Sequence, residues 1–220
     1  MKKSKISDTS LRVLTGAVML AILLVVAWLS VHYPKMHAVR WLSVFVVLAC
    51  LSETIKSMVK SGIENFQKHS VLFFCFVMWL LLMLTSAYYV GLRPGIMLWL
   101  LMIIVGADVG AWLFGKTFGG DKMWERISEH KTWSGQIGGI MCGTLMSVLY
   151  FKLFGGFLPN AIWIGISVAL LSQYGDLTAS YIKRNLGIKD FGNILPGHGG
   201  IMDRFDGWIY VLPLIWFMIG

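Results

Sequence analysis

The sequence predicts an all-α integral membrane protein, a polytopic helical bundle of about seven transmembrane helices. Of its 220 residues, 57% are hydrophobic and 14% are charged, and the mean hydropathy is +0.71. Soluble domains carry about a quarter charged residues, so the shortage of charge argues against a soluble fold. The apolar residues also gather in runs of about 20, the length at which a helix crosses the bilayer.

Seven apolar runs define the predicted spans. The first follows Lys2, Lys3 and Lys5, as in a signal peptide. It is too long for one and has no small-residue cleavage site, so we expect a retained span. Glycines dilute the fifth run, and small residues let a helix pack closely inside a bundle. The predicted spans are residues 11–31, 38–55, 69–90, 95–114, 135–155, 160–182 and 205–220.

The distribution of basic residues predicts the orientation of the chain. Most of the 19 Lys and Arg residues lie in segments that share a side with the N-terminus, and the positive-inside rule places that side in the cytoplasm. This distribution also explains the net charge of +8. Because no basic patch is interleaved with aromatic residues, we expect no nucleic-acid partner.

A polar stretch, residues 180–206, lies between two apolar runs. Asp203 and Asp206 offer hard oxygen ligands, which suit Mg²⁺ bridging to substrate phosphates. The turn at 196–200 is rich in glycine, so its backbone can approach a ligand and present N–H groups. Its His198 stays open between a proton carrier, a phosphate donor and a turn-fixing residue. Cations that can neutralise polyphosphate are Arg184, Lys189 and Arg204.

Two aspartates lie in the interior of predicted spans, several residues from either end, where an ionisable side chain costs about 2.5–3.5 kcal/mol and therefore marks a candidate site. Asp108 and Asp176 both fall about 9 Å from the cytoplasmic ends of their spans, which predicts one polar recess that Glu53 can border. Ser180 and Lys183 follow Asp176 at i+4 and i+7 and share its helical face. The alternative is a salt bridge that only locks two helices together.

Residues 110–117 satisfy the P-loop pattern G-x-x-x-x-G-K-[ST]. We reject a P-loop because that motif needs a preceding strand and a flexible glycine-rich turn, whereas this stretch ends an apolar helix. Lys116 and Lys131 still bring phosphate-binding groups to the loop that follows. Trp133 is open between a contact to a base and an interfacial anchor.

These residues together resemble the phosphatidate cytidylyltransferase family, the CDP-diacylglycerol synthases, over about residues 105–210. Upstream blocks that look like the family's lie around Asp108, Lys116, Lys131 and Asp176. Ser134 stands where the family usually has Glu. The fixed positions of the family's C-terminal signature are all present: Ser180, Lys183, Arg184, Lys189, Asp190, Gly192, Pro196, His198, Gly199, Gly200, Asp203, Arg204 and Asp206.

The resemblance implies transfer of CMP from CTP to phosphatidic acid, which gives CDP-diacylglycerol and pyrophosphate for phospholipid biosynthesis. It also implies Mg²⁺ held by Asp176 and Asp203, with K⁺ as an assisting ion, and a homodimer in the lipid bilayer. The location it implies is a bacterial inner membrane, with the active site facing the cytoplasm. The chain would form a single membrane domain, 1–220, with N-terminal spans at 11–104 and a catalytic region at 105–210.

The predicted site has two groups of residues. The predicted catalytic residues are Asp176, Asp203, Lys183, Arg184, Lys189, Arg204 and His198. The predicted residues for binding CTP and phosphate are Asp108, Lys116, Lys131, Ser180, Asp190, Gly199, Gly200 and Asp206.

Two other classes of function compete with this one. Another CTP-dependent membrane enzyme, such as a polyprenol kinase or an archaeal CDP-archaeol synthase, would use similar groups, although the full C-terminal signature argues against the kinase. A transporter would place its site near the midplane between paired repeats. No internal repeat is detectable, and the charges gather at one face, so we disfavour a transporter.

Overall fold

The structure is a computed structural model that describes residues 8–62, 67–154, 159–196 and 199–219, with side chains described from Leu14 onward. Helices form most of it. Their bounds are α1 Asp8–His32, a 3-10 turn Pro34–Met36, α2 Ala38–Lys60, α3 Ser70–Val90, α4 Pro94–Phe118, α5 Trp133–Phe154, α6 Ala161–Asn185, α7 Met202–Phe205 and α8 Trp208–Ile219.

Five helical segments of the described chain are long and apolar enough to cross a membrane: Leu14–His32, Pro34–Lys60, Ser70–Val90, Pro94–Phe118 and Trp133–Phe154. They confirm the predicted class, an all-α polytopic membrane protein. The sixth predicted span forms α6. With 25 residues it is as long as α4, but its last turns carry charged side chains.

The last predicted span, 205–220, differs from the helix that forms there. Helix α8 has 12 residues and contains Pro213, and at 1.5 Å per residue it is about 18 Å long. The helix begins later than predicted because a turn at Asp206 and Gly207 precedes it.

The chain groups into two compact units. The first unit comprises the chain up to Pro94 together with Asn185–Phe205, and the second comprises Gly95–Arg184 with Asp206–Gly220. In the first unit, α2 packs along α3. Cys50 and Leu80 are fully buried in that unit, and the hydroxyl of Ser43 donates to the carbonyl of Ala87 at 3.0 Å. The single membrane domain stays a prediction.

In the second unit, glycines of α5 pack against α4 and α6. A Cβ atom on Gly139 would lie 2.9 Å from the Ala107 carbonyl oxygen, and one on Gly143 would lie 2.8 Å from the Cβ of Ala169. Both positions therefore require glycine for the helices to approach this closely. The prediction that the fifth run is a packed bundle helix is confirmed, because Gly135, Gly138, Gly139 and Gly143 are all buried.

The loop between α4 and α5 contains a small antiparallel hairpin, which the sequence did not predict. Strand β1 spans Lys122–Trp124 and strand β2 spans Ser128–Thr132. Strands of three and five residues are too short to display the two-residue periodicity that identifies a strand. The hydroxyl of Thr132 then caps α5 by accepting the backbone N–H of Gly135 at 3.2 Å.

Candidate active site

In the second unit, an ion pair joins the hairpin to α6. Nζ of Lys131 lies 2.8 Å from Oδ2 of Asp176, and the side chains are 24% and 40% exposed. The hydroxyl of Ser180 donates to Oδ1 of Asp176 at 3.4 Å. Asp176 and Ser180 therefore share a helical face, as their spacing predicted. The carboxylate keeps access to solvent, so a ligand can reach it.

Asp206 joins this group through a close contact between backbones. A Cβ atom on Gly175 would lie 3.3 Å from both the carbonyl carbon of Asp206 and the Cα of Gly207. Glycine at position 175 therefore lets the turn at Asp206 approach α6 beside Asp176. Oδ1 of Asp206 also accepts the N–H of Gly207 at 2.9 Å, which fixes the carboxyl group in the turn.

The pKa of Asp206 depends on the charged groups around it. It lies in the turn before α8, outside the apolar helices. Burial of its carboxyl group and the nearby Asp176 raise the pKa of Asp206 well above its ordinary value, with a further contribution from Asp108, while Lys183 and Lys131 act to lower it. Three carboxyl groups and two ammonium groups thus share one electrostatic neighbourhood. This supports the expectation that Asp108 and Asp176 belong to one polar region.

The other predicted residues of the second unit vary in exposure. Lys183 is 8% exposed on α6, whereas Arg184 is exposed and donates from Nε to the carbonyl of Ile127 at 3.3 Å. Lys116 is exposed at the end of α4, where its ammonium lies 5.0 Å from the centre of the Trp112 ring. Lys183 is therefore a buried cation in this region.

The second unit contains both the P-loop-like segment and Ser134, the residue that stands where the family usually has Glu. Residues 110–117 lie wholly within helix α4, so the rejection of a P-loop is confirmed. Ser134 has a structural partner, because its hydroxyl donates to the carbonyl of Gly119 and contacts the hydroxyl of Thr132 at 3.1 Å. Trp133 is 54% exposed, and its predicted contact with a base stays a prediction.

In the first unit, Asp203 organises the polar loop that precedes α7. Its Oδ2 accepts two backbone N–H groups, from Phe191 at 2.9 Å and from Gly200 at 3.0 Å. These bonds bring the two ends of the 191–200 segment together. In this structure, then, one carboxylate oxygen of Asp203 holds the backbone of the loop.

Gly199 allows a second carboxylate to lie near Asp203. Its φ is +88°, a conformation that favours glycine. A Cβ atom built there would lie 3.4 Å from Oδ2 of Asp203 and 3.6 Å from Oδ1 of Asp190. Backbone bonds between Leu195 and Gly199, at 2.9 and 3.1 Å, close the turn. His198 lies outside the described residues, while Lys189 and Arg204 are exposed.

Helix α2 supplies two residues to this loop. Glu53 is 3% exposed, and its Oε2 accepts the N–H of Met202 at 2.9 Å. Ser57, one turn later, donates its hydroxyl to the carbonyl of Phe191 at 2.6 Å. From the sequence we expected Glu53 only to border a recess, and we assigned no role to Ser57. A Ser and a Glu four residues apart on one helical face were the available clue.

The carboxylates of the second unit have the donor chemistry for Mg²⁺. Within the described chain, no three His, Cys, Asp or Glu side chains are arranged as a ready metal-ligand group. Mg²⁺ commonly binds through one or two carboxylates together with substrate phosphates and water. Asp176 is accessible, and its neighbour Asp206 would be relieved of like-charge repulsion by a cation, so the residues fit such an ion.

Fold and site together define the class of protein: a polytopic membrane protein with paired acidic and basic side chains suited to binding phosphate groups. The comparison with known families makes this specific. The model of the cytidylyltransferase family matches residues 1–220, and the chain belongs to that family.

Individual relatives are similar over about half of the chain. Proteins named phosphatidate cytidylyltransferase from Staphylococcus aureus (strain COL) and Staphylococcus haemolyticus (strain JCSC1435) are 44% and 41% identical over 120 residues, which are 54% of this chain and 46% of each relative. One from Staphylococcus epidermidis (strain ATCC 35984) is 43% identical over 129 residues, 57% of this chain and 48% of the relative. The matched segments thus span about half the length of these curated relatives.

Proposed function

We propose that the chain is a phosphatidate cytidylyltransferase, which transfers CMP from CTP to phosphatidic acid and releases pyrophosphate. The similarity over 120 residues to relatives of that name, within a family match to the whole chain, carries this proposal. The clustered carboxylates and ammonium groups of the second unit support it, because they suit a reaction between two anionic phosphates.

The proposed reaction needs alignment of the substrates more than it needs a base. An oxygen of the phosphatidate phosphate forms a bond to the α-phosphorus of CTP, and the bond from that phosphorus to the bridging oxygen of the β-phosphate breaks. The phosphate nucleophile is already anionic, so no proton has to be removed. The protein must bring like charges together and stabilise the leaving pyrophosphate.

The basic side chains are proposed to do this. Lys131 pairs with Asp176 at 2.8 Å, and an arriving phosphate can compete for that ammonium. Lys183 is largely removed from water on α6, where its charge attracts phosphate more strongly than at an exposed position. In the polar stretch that follows, Arg184, Lys189 and Arg204 are exposed and can contact the nucleotide as it enters.

We propose Mg²⁺ as the cofactor, held by Asp176 and Asp203 as the family resemblance implies, with K⁺ as an accessory ion. When bound, Mg²⁺ would neutralise charge on the phosphates of CTP and on the departing pyrophosphate. The exposed carboxylate of Asp176 supports its assignment as a ligand of the ion. Asp203 also accepts two backbone N–H groups through Oδ2, so binding the ion would be added to its role in the loop.

We further propose a bacterial inner-membrane location with the site facing the cytoplasm, where CTP is made. The asymmetric distribution of Lys and Arg supports this orientation, and the relatives named above are bacterial. A homodimer is part of the same proposal. Mass measurement of the detergent-solubilised protein tests it, and a monomeric mass would contradict it.

The reaction is tested by following two phosphates of CTP separately. Purified protein in lipid nanodiscs is given phosphatidate, Mg²⁺ and CTP labelled at either the α- or the γ-phosphate. Cytidylyl transfer puts the α-label in the lipid and the γ-label in pyrophosphate. A γ-label in a lipid would instead identify a kinase and overturn the proposal, and replacing phosphatidate with a polyprenol or an ether-linked lipid tests the competing substrates.

A pair of variants ties the activity to the proposed site. Asp176→Asn removes the accessible carboxylate and is expected to lower transfer by about 1,000-fold or more. Glu125→Gln is the matched control, because Glu125 is an exposed carboxylate in the hairpin turn and is not a member of the Asp176 ion pair. Equal activity in the two variants would show that transfer does not depend on Asp176.

A further inference from the structure

Glu53, on the second helix, lies far from the family signature in sequence and has no place in the mechanism proposed above. Its carboxylate is 3% exposed and accepts the Met202 N–H at 2.9 Å. Within the described chain, its other oxygen, Oε1, is buried without a hydrogen-bond partner. Burying a charged group with an unsatisfied oxygen costs free energy, so a role for the group has to be sought.

The carboxylate occupies the space beside two glycines of the polar loop. Glu53 atoms are the three nearest neighbours of a Cβ placed on Gly192, the Cδ at 2.9 Å and the Cγ at 3.4 Å among them. A Cβ on Gly200 would lie 2.6 Å from Oε2 of Glu53 and also 2.8 Å from the backbone nitrogen of Gly192. Glu53 thus gives a physical reason for glycine at both positions.

The contacts of α2 reach the same two segments that Asp203 joins. Phe191 donates its N–H to Asp203 and accepts a hydrogen bond from Ser57 through its carbonyl. Gly200 donates to Asp203, and Met202, the residue before Asp203, donates to Glu53. Asp203 ties the two segments to each other, while α2 anchors both of them.

We propose that Glu53 is a positioning residue, which anchors the loop at Gly192, Gly200 and Met202 and thereby sets the orientation of Asp203. It acts through the backbone and does not contact substrate. The part of this inference that concerns turnover rests on the proposed cytidylyltransferase function, whereas the part that concerns the loop does not.

The first measurement is hydrogen exchange at the backbone amide of Met202 in the purified protein. Glu53→Ala removes the acceptor and is expected to speed this exchange about tenfold or more. Glu53→Gln keeps a carbonyl oxygen of the same reach and is expected to stay within about threefold of the wild type. Ser52→Ala is the control, because Ser52 is the exposed neighbour of Glu53 and its hydroxyl donates to the carbonyl of Ala49 in the same helix. Unchanged exchange in Glu53→Ala overturns the proposal.

The second measurement is a double-mutant cycle with Gly192. Gly192→Ala alone should speed Met202 exchange and lower kcat, because the new methyl group meets Glu53. In the Glu53→Ala background, the same substitution should cause little further change. Gly200→Ala should speed Met202 exchange both in the wild type and in Glu53→Ala, since its methyl group also meets the Gly192 backbone. If the increases in exchange rate caused by Glu53→Ala and Gly192→Ala are independent, so that they multiply in the double variant, the proposal is overturned.

Turnover separates positioning from general damage to the fold. Glu53→Ala should lower kcat about 10- to 100-fold, as is typical when support of a site residue is lost, while KM for CTP changes less. Glu53→Gln should recover most of kcat, and a loss as large as that of Glu53→Ala would contradict the assignment. If the wild type makes no CDP-diacylglycerol, the proposed function fails, and the exchange measurements still judge the role of Glu53.

Because Glu53→Ala could fail to fold, a second variant with a shorter acidic side chain tests the same inference. Glu53→Asp withdraws the carboxylate by one methylene group and should make room for the methyl group of Gly192→Ala. The Glu53→Asp/Gly192→Ala protein should therefore exchange more slowly at Met202 than Gly192→Ala alone. If it exchanges equally fast or faster, Glu53 does not set the space at Gly192, and the inference is wrong.

Discussion

Asp176 and Asp203 were predicted to do the same work, but their partners in the two units differ. Asp176, in the second unit, is held by side chains, with the Lys131 ammonium at 2.8 Å and the Ser180 hydroxyl at 3.4 Å. Asp203, in the first unit, is held by the backbone N–H groups of Phe191 and Gly200. Side-chain partners can be exchanged for a ligand without moving the chain, whereas backbone partners cannot. Asp176 is therefore suited to ligand exchange, and Asp203 also to shaping a loop.

The largest expected effect comes from replacing each aspartate by asparagine. Asp176→Asn should lower turnover by about 1,000-fold or more, because a charge at the reacting phosphates is lost. Its melting temperature should change little, because its ion pair is partly exposed. Asp203→Asn should lower turnover and also the melting temperature by several degrees, because charge-assisted bonds to the loop weaken.

Turnover and thermal unfolding measured in the same detergent test this comparison. The ratio of lost activity to lost stability should be larger for Asp176→Asn than for Asp203→Asn. If both variants lose stability equally, the distinction between side-chain and backbone partners has no energetic consequence.

Lys131 provides a smaller effect, on the Asp176 side of the comparison. Lys131→Gln removes the cation that pairs with Asp176 and should reduce kcat/KM for CTP about 10- to 100-fold, while Lys131→Arg keeps the charge and recovers part of it. Lys122→Gln is the control, because Lys122 is an exposed cation on the paired strand. Equal losses in Lys131→Gln and Lys122→Gln would mean that the ion pair carries no function.

The smallest effect concerns Asp206, whose raised pKa predicts a pH-dependent stability. Between its ordinary pKa and the raised value, the folded protein holds a proton that the unfolded chain lacks. This contribution therefore favours the folded state as pH falls through the raised pKa. At a pH above the raised pKa and without Mg²⁺, Asp206→Asn should melt a few degrees above the wild type, because its side chain carries no charge.

The difference in melting temperature between wild type and Asp206→Asn is the quantity to follow. It should shrink as the pH is lowered through the raised pKa, because the wild-type carboxyl group becomes neutral as well. A difference that grows at lower pH would show that Asp206 is stabilised as a carboxylate. Comparing the two proteins cancels the titration of all other groups.

The sequence predicts the helices well because each apolar run of about 20 residues has one plausible conformation in a bilayer. It fails at the ends of helices. Helices α4 and α6 continue to Phe118 and Asn185, beyond the predicted ends at 114 and 182, because polar residues can extend a helix past the apolar region. The hairpin at Lys122–Thr132 was missed because its strands are too short to show a two-residue period.

The residue types of the candidate site were predictable, whereas their partners were not. Asp176 and Ser180 share a face because a helix has a fixed period. The bond from Met202 to Glu53 joins residues 149 positions apart, and no local rule connects them. The glycine-rich turn at 196–200 suggested approach of a ligand, and the structure places a carboxylate of the protein itself, that of Glu53, beside Gly200.

Helix α5 presents backbone rather than side chains to its neighbours, at Gly139 toward Ala107 and at Gly143 toward Ala169. An interface of this kind has no rotamers to exchange, so it offers one packing arrangement instead of several. Helices α4, α5 and α6 should then behave as a stiff frame on the time scale of turnover. Any motion that admits the proposed lipid substrate would then be expected in the hairpin, where side chains such as Lys131 can change partners while Asp108 and Asp176 stay in place.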